Sequence, residues 1–268
     1  MTDFWETVVN FAENTVDLVG DRLLVDFGQV SASQKADGTL VTQADTWSDR
    51  VISDRITEDF SDHGVLSEEG DRTYRDREWT WVIDPVDGTT NFARGIPLWG
   101  ISLALLYRGT PVFGYVDFPP IQQTFKGFWY GDSGLTGPEG AFCNDRRLKP
   151  RDDDPDFNQF FSFCSRSIRW VKHPFPCKLR MMGVASYNLL SVPAGVGLGA
   201  IEATPKVWDI AGVWAIAKAA GAAWIPLDGK SPFPLQSGVD YTTQSFPTLL
   251  AARSKLETAF LEALERDR

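Results

Sequence analysis

Two aspartates three positions apart, Asp84 and Asp87, end an apolar run and precede a Gly-Thr-Thr step in the stretch W-T-W-V-I-D-P-V-D-G-T-T-N-F at residues 79–92. Carboxylates delivered by a buried strand are costly unless a positive charge meets them, so the pair is a candidate for holding a cation through oxygen. Pro85 fixes its own φ and biases Asp84 away from helical geometry. The chain is therefore expected to leave the strand in a rigid turn that aims both carboxylates into one space. Gly88, lacking a Cβ, lets the backbone approach an anion closely, and Thr89 at a helix start would offer free N–H groups to phosphate. A plain type I turn also uses Pro, Asp and Gly but gives no reason for the two threonines after them. Glu68 and Glu69 close a short apolar run where a carboxylate could face the same cleft. Asp209 stands at the start of the apolar helix W-D-I-A-G-V-W-A, as a helix N-cap, a further ligand or both. With His63 and His173 the two histidines of the chain, a site of several imidazoles is excluded and oxygen must hold any metal.

The elements that position these groups follow from periodicity. Phe4, Val8, Phe11 and Leu18 predict an opening helix capped by Thr2 or Asp3, and Trp47, Val51, Ile52, Ile56 and Phe60 predict a second helix over 44–60, with a loop or small hairpin between. Apolar runs bounded by Gly, Pro and Asp predict strands at 64–67, 79–83, 101–106, 112–116 and 124–129. Residues 131–156 turn to Gly, Pro and Asp and mark an exposed connection. A single catalytic domain, 1–268, is expected in two sub-domains of about 1–140 and 141–268. Beyond the connection come a strand at 160–164, a helix at 186–193, a strand at 199–203, a helix at 209–220, strands near Ala223 and Leu249, and a closing helix at 255–268. The mixture, not strictly alternating, predicts a layered α/β or α+β fold.

The 268 residues are 43% hydrophobic, enough for a large core, and 26 Lys and Arg against 36 Asp and Glu leave a net charge of −10. That charge opposes sequence-independent binding to nucleic acid. No run approaches the roughly 18 apolar residues of a membrane span, and the first residues carry acids where a signal peptide is apolar, so neither membrane insertion nor cleavage is expected. Cys143, Cys164 and Cys177 form no C-x-x-C pair and suit reduced thiols in the cytoplasm. No P-loop occurs. A basic stretch at 166–180 reads as a solvated edge, a subunit contact or a place for a second substrate phosphate.

Asp84, Pro85, Asp87, Gly88, Thr89 and Thr90 in this arrangement would arise by chance in about 10⁻⁵ of chains of this length, so the motif is specific. On Glu68-Glu69, the run at 84–92 and W-D-I-A-G at 208–212, in that order, the sequence resembles the inositol monophosphatase family, Mg²⁺-dependent and lithium-sensitive phosphatases, over nearly its whole length. The resemblance implies a five-layer αβαβα sandwich of the sugar-phosphatase type, acting as a homodimer. It also implies a site in which Glu68, Asp84 and the Val86 carbonyl hold one Mg²⁺ while Asp84, Asp87 and Asp209 hold a second. The stretch K-A-D-G-T-L-V-T-Q-A-D matches a family pattern loosely, placing Lys35 near the metals and making Asp45 the partner of the Thr89 hydroxyl. Asp87, Gly88, Thr89, Gly183, Ala185 and Glu202 would contact substrate, with Val184 where the family carries serine.

The implied reaction is hydrolysis of a small polyol or sugar phosphate, inositol 1-phosphate foremost, by water activated with Glu68, Thr89 and Asp45 and without a phosphoenzyme. Four carboxylates and a dianionic phosphate carry six negative charges, of which two Mg²⁺ offset four; a third divalent ion, Lys35 or ordered binding must meet the rest. Mn²⁺ could replace Mg²⁺. Histidinol phosphate, fructose 1,6-bisphosphate and 3'-phosphoadenosine 5'-phosphate are rival substrates on the same plan, and a catalytically silent metal-binding regulatory protein is the reading of another class.

Overall fold

A computed structural model of the chain describes residues 2–34 and 40–265; Lys35 and the end of the expected closing helix, 266–268, lie outside the described residues. Helix α1 (Thr2–Asp26) buries Trp5, Val8, Ala12, Val16, Val19 and Leu23 along one stripe. Leu18, expected on that stripe, falls at its edge and is 49% exposed, and Asp3 lies inside the first turn instead of capping it. A small antiparallel hairpin, β1 (Ser33–Gln34) with β2 (Leu40–Val41), leads to α2 (Gln43–Asp59). Thr42 caps α2: its hydroxyl accepts from the Ala44 N–H at 3.1 Å, and Asp45 Oδ2 accepts from the Thr42 N–H at 2.9 Å. Asp45 is thereby fixed, buried, at the start of the helix.

Both helices cover one face of a seven-stranded sheet whose spatial order follows the chain. Its strands are β3 (Gly64–Ser67), β4 (Trp79–Asp87), β5 (Gly100–Tyr107), β6 (Thr110–Phe118), β7 (Gln123–Phe128), β8 (Gly140–Cys143) and β9 (Arg146–Arg147), with α3 (Thr89–Arg94) between β4 and β5. β3 and β4 run parallel across residues 68–78, and the other pairs are antiparallel. β8 and β9 lie inside the stretch expected to be a connection. They are short strands at the end of the sheet, β9 at its edge, too short to show as an apolar run, and the passage between the two sheets is 148–159.

The second sheet runs in the order β11-β10-β12-β14-β13 from β10 (Phe160–Phe163), β11 (Lys178–Arg180), β12 (Gly199–Glu202), β13 (Ala223–Pro226) and β14 (Thr248–Ala251). Helices α4 (Ala185–Leu190) and α5 (Val207–Ala220) fill the space between the sheets. α5 is apolar nearly all round because sheets cover it on both sides. It sits so close that a Cβ on Gly114 of β6 would lie 2.1 Å from the Gly212 carbonyl oxygen. On the far face α6 (Glu257–Glu262) packs Phe260 against Phe161, ring centroids 4.8 Å apart. The layers are therefore helix, sheet, helix, sheet, helix, and the site lies where β4, α3, α4 and α5 meet.

Candidate active site

In a regular strand, residues three apart point to opposite faces, so Asp84 and Asp87 could not share a site. Contrary to the expected exit at Asp84, β4 continues through Pro85 to Asp87. Opposite it, Asp84 pairs with Ser102 and Asp87 with Gly100, so three steps on β4 meet two on β5. This bulge absorbs Pro85, which has no N–H for the ladder, and reverses the alternation. Trp81, Ile83 and Val86 face α1 and α2, while Asp84 and Asp87 both turn toward α4 and α5. Glu68 is set beside them because its N–H donates to the Ile83 carbonyl at 3.2 Å, extending the β3–β4 pairing by one residue.

Asp209 completes the cluster. It is the third residue of α5, and the cap is Lys206, whose backbone N–H donates to Asp209 Oδ2 at 2.7 Å; the expectation of Asp209 as N-cap is corrected accordingly. One carboxylate oxygen each of Asp84, Asp87 and Asp209 lies within 4.8 Å of the others. Burial first, then the charges of Glu68, Asp87 and Asp209, push the Asp84 carboxyl well above the usual range. Asp209 is raised by burial and by Asp87 and Glu68. Asp87 is also raised by burial, against hydrogen bonds that favour its charged form. An all-oxygen cluster whose members resist ionising together is the environment that a hard divalent cation relieves, so the donor set fits Mg²⁺.

Beside the cluster, Thr89 Oγ1 lies 3.0 Å from Asp45 Oδ1 and 3.1 Å from the Val86 carbonyl oxygen. Burial raises the Asp45 carboxyl, offset in part by hydrogen bonds from Thr42 and Thr89. Gly88 adopts φ +91°, and a Cβ there would lie 2.8 Å from Val184 Cγ2, so both conformation and packing require glycine. Val184, buried, packs on that glycine. Asp87 also reaches the second half of the chain, accepting from the Ala185 and Ser186 N–H groups at 3.3 and 2.7 Å at the start of α4.

The cluster forms the floor of a cavity of about 600 Å³ whose lining includes Glu68, Asp84, Val86, Asp87, Gly88, Thr89, Gly183, Ala185, Glu202 and Asp209. Glu202 is buried at the end of β12; burial and the neighbouring Cys164 raise its carboxyl, and the Asn188 amide donates to it at 2.7 Å. Glu69 does not line the cavity; its charge bears on Asp45 and Asp49 behind the wall. The lining also holds Asn188, Lys206, Cys164, Arg166 and Met182, to which sequence reasoning assigned no role in the cluster. Lys206 had a readable signal, standing before V-W-D at a helix start; Asn188 and Cys164 had none. Of the basic stretch at 166–180, Arg166 reaches the cavity, and its guanidinium donates to Thr204 at 2.6 Å.

Comparison with known proteins shows the family and the fold. The sequence matches the pattern of the inositol monophosphatase family over residues 5–265. It is 30% identical over 230 residues to the fructose-1,6-bisphosphatase/inositol-1-monophosphatase of Thermotoga maritima, covering 83% of this chain and 86% of that protein. It is 30% identical over 246 residues to the inositol-1-monophosphatase of Rhizobium meliloti, covering 86% and 89%. Among solved structures, a staphylococcal IMPase complexed with products superposes with a TM-score of 0.76 over the whole of both chains at 21% identity, a likeness of fold. On a family pattern matched over residues 5–265 and relatives 30% identical over most of both chains, the chain belongs to the inositol monophosphatase family of phosphoric monoester hydrolases.

Proposed function

We propose that the chain hydrolyses a small polyol or sugar phosphate monoester, inositol 1-phosphate foremost, in a Mg²⁺-dependent reaction. The observation that carries this reading is the convergence of Asp84, Asp87 and Asp209 beside the Thr89–Asp45 pair, on the floor of a cavity with the Glu202 carboxylate in its wall. Asp84, Asp87 and Asp209, with Glu68 and the Val86 carbonyl beside them, are the residues that would hold two or three Mg²⁺, or Mn²⁺ in its place. Bound there, the metal supplies charge compensation and Lewis acidity toward the phosphoryl oxygens.

The chain's own groups do the rest. Thr89 Oγ1 has a donor commitment to Asp45 or Val86, which leaves its lone pairs to accept a proton from the attacking water. Asp45, in its ionised form and made more basic by burial, is placed to receive the threonine's proton in turn. Attack is direct on phosphorus, without a phosphoenzyme. Gly88 and Thr89 border the phosphate, and Gly183, Ala185 and Glu202 meet the alcohol portion, Glu202 by accepting from its hydroxyls. A bisphosphorylated sugar is the second reading, favoured by Arg166, a cation in the same cavity as the acid floor. Cytoplasmic residence, supported by three free thiols, and a homodimer, supported by the family resemblance, belong to the same proposal.

Phosphate release from inositol 1-phosphate, histidinol phosphate, fructose 1,6-bisphosphate and 3'-phosphoadenosine 5'-phosphate, compared by kcat/KM with Mg²⁺, tests it. The inositol ester is expected to rank first. Preference for fructose bisphosphate, lost in Arg166→Ala, would select the second reading, and no release from any ester would leave a silent regulatory protein.

A further inference from the structure

The segment 182–188 touches both halves of the cavity. From α3, the Asn91 side-chain amide donates to the Met182 carbonyl at 3.0 Å and to the Leu98 carbonyl at 2.9 Å. From α4, Asn188 Oδ1 accepts from the Met182 N–H at 3.2 Å, while its Nδ2 donates to Glu202 at 2.7 Å and reaches the Phe163 carbonyl at 3.4 Å. Met182 is thus held on both its N–H and its C=O by two buried asparagines from different layers. The next residue, Gly183, has φ +77°, and a Cβ there would lie 3.0 Å from Asn91 Oδ1, so the segment fits against Asn91 only with glycine. Asparagine is a poor choice for a helix interior unless its amide has partners to satisfy, and Asn188 has three.

We propose that Asn188, assisted by Asn91, is a positioning residue: it holds the Glu202 carboxylate and the Met182 peptide in register with the acid cluster and so sets how tightly the alcohol portion of the ester is bound. The inference rests on the proposed function, in which Glu202 meets substrate hydroxyls. A carboxylate held by a fixed donor presents its second oxygen in one direction; freed of that donor, it loses both its aim and the bond that favours its charged form.

The test is steady-state turnover of inositol 1-phosphate and of p-nitrophenyl phosphate, whose aryl group has no hydroxyl for Glu202, at one Mg²⁺ concentration. Asn188→Ala is expected to raise KM for the inositol ester about tenfold, the cost of one hydrogen bond to a charged group, and to change kcat/KM for the aryl ester less than about twofold. In a Glu202→Gln background the same substitution is expected to add less than about twofold. Asn91→Ala, which frees the Met182 and Leu98 carbonyls and leaves the Asn188–Glu202 bond in place, serves if thermal melting shows Asn188→Ala unfolded; it is expected to give the same pattern at about threefold. Equal losses on both esters, or an undiminished effect in the Glu202→Gln background, would overturn the positioning role alone. No turnover of inositol 1-phosphate by the unsubstituted chain would overturn the reading beneath it.

Discussion

The first half brings most of its share of the cavity in one contiguous run, from Asp84 at the end of β4 to Thr89 at the start of α3, with Glu68 beside it, whereas the second half brings Arg166, Met182 with Asn188, Glu202, and Asp209 from four separate stretches. The two shares also differ in how their polar groups are partnered. Asp84 and Asp87 are carboxyls raised by burial, and Asp84 further by the charges of Glu68, Asp87 and Asp209, an arrangement that a cation would relieve. On the other side Glu202 is likewise raised by burial, but here each of these groups has a neutral side-chain or backbone partner: Glu202 has Asn188, Asn188 has Met182, and Arg166 has Thr204. The chemistry is therefore expected to depend on the first share together with Asp209, and the choice of alcohol on the rest of the second.

That division makes graded predictions. Asp84→Asn should have the largest effect, lowering kcat on every ester by on the order of 10³-fold or more, because it removes the carboxylate at the centre of the cluster. Circular dichroism should show the fold intact; a near-normal kcat would remove Asp84 from the reaction. Thr89→Val, which deletes the hydroxyl bonded to Asp45 and keeps the volume, should lower kcat by about 10²-fold with little change in KM. A KM effect alone would assign Thr89 to binding. Glu202→Gln should instead raise KM for inositol 1-phosphate by about tenfold and leave the aryl ester nearly untouched; a uniform loss across esters would break the division between the two shares.

The smallest effect concerns stability. Carboxyls whose folded pKa lies above the usual value near 3.8 bind more protons folded than unfolded, so they contribute stability at low pH that is lost as pH rises through their folded values. Metal-stripped protein should melt a few degrees lower at about pH 8 than at about pH 5.5, and saturating Mg²⁺ should shrink that difference. A metal-stripped protein more stable at the higher pH would contradict the raised values.

The same contrast explains what the sequence discloses. The run at 84–92 is local, so its residue types and spacing could be read, together with the acids at 68 and 209. The reason that Asp84 and Asp87 share a face could not, because the bulge depends on the register of β4 against β5, which no local pattern around Pro85 specifies. Helix α5 was legible as apolar, yet its true cap at Lys206 lay three residues before the acid that looked like a cap. Thr42 and Asp45 form a capping box whose T-x-x-D spacing is readable, but Asp45's second bond, to Thr89, spans 44 residues. Asn188 belongs to no motif, and its importance appears only once Glu202, Phe163 and Met182 are brought around it. The short strands β8 and β9 are not legible in the sequence because their pairing comes from the sheet and not from an apolar run of their own.

The central claim is that Asp84, Asp87 and Asp209 form a divalent-metal centre, and calorimetric titration of the metal-stripped protein with Mg²⁺, beside Asp84→Asn, tests it most directly. The account predicts saturable uptake of two or three ions per chain by the unsubstituted protein and loss of at least one of them in Asp84→Asn. No uptake, or identical titrations for both proteins, would contradict it.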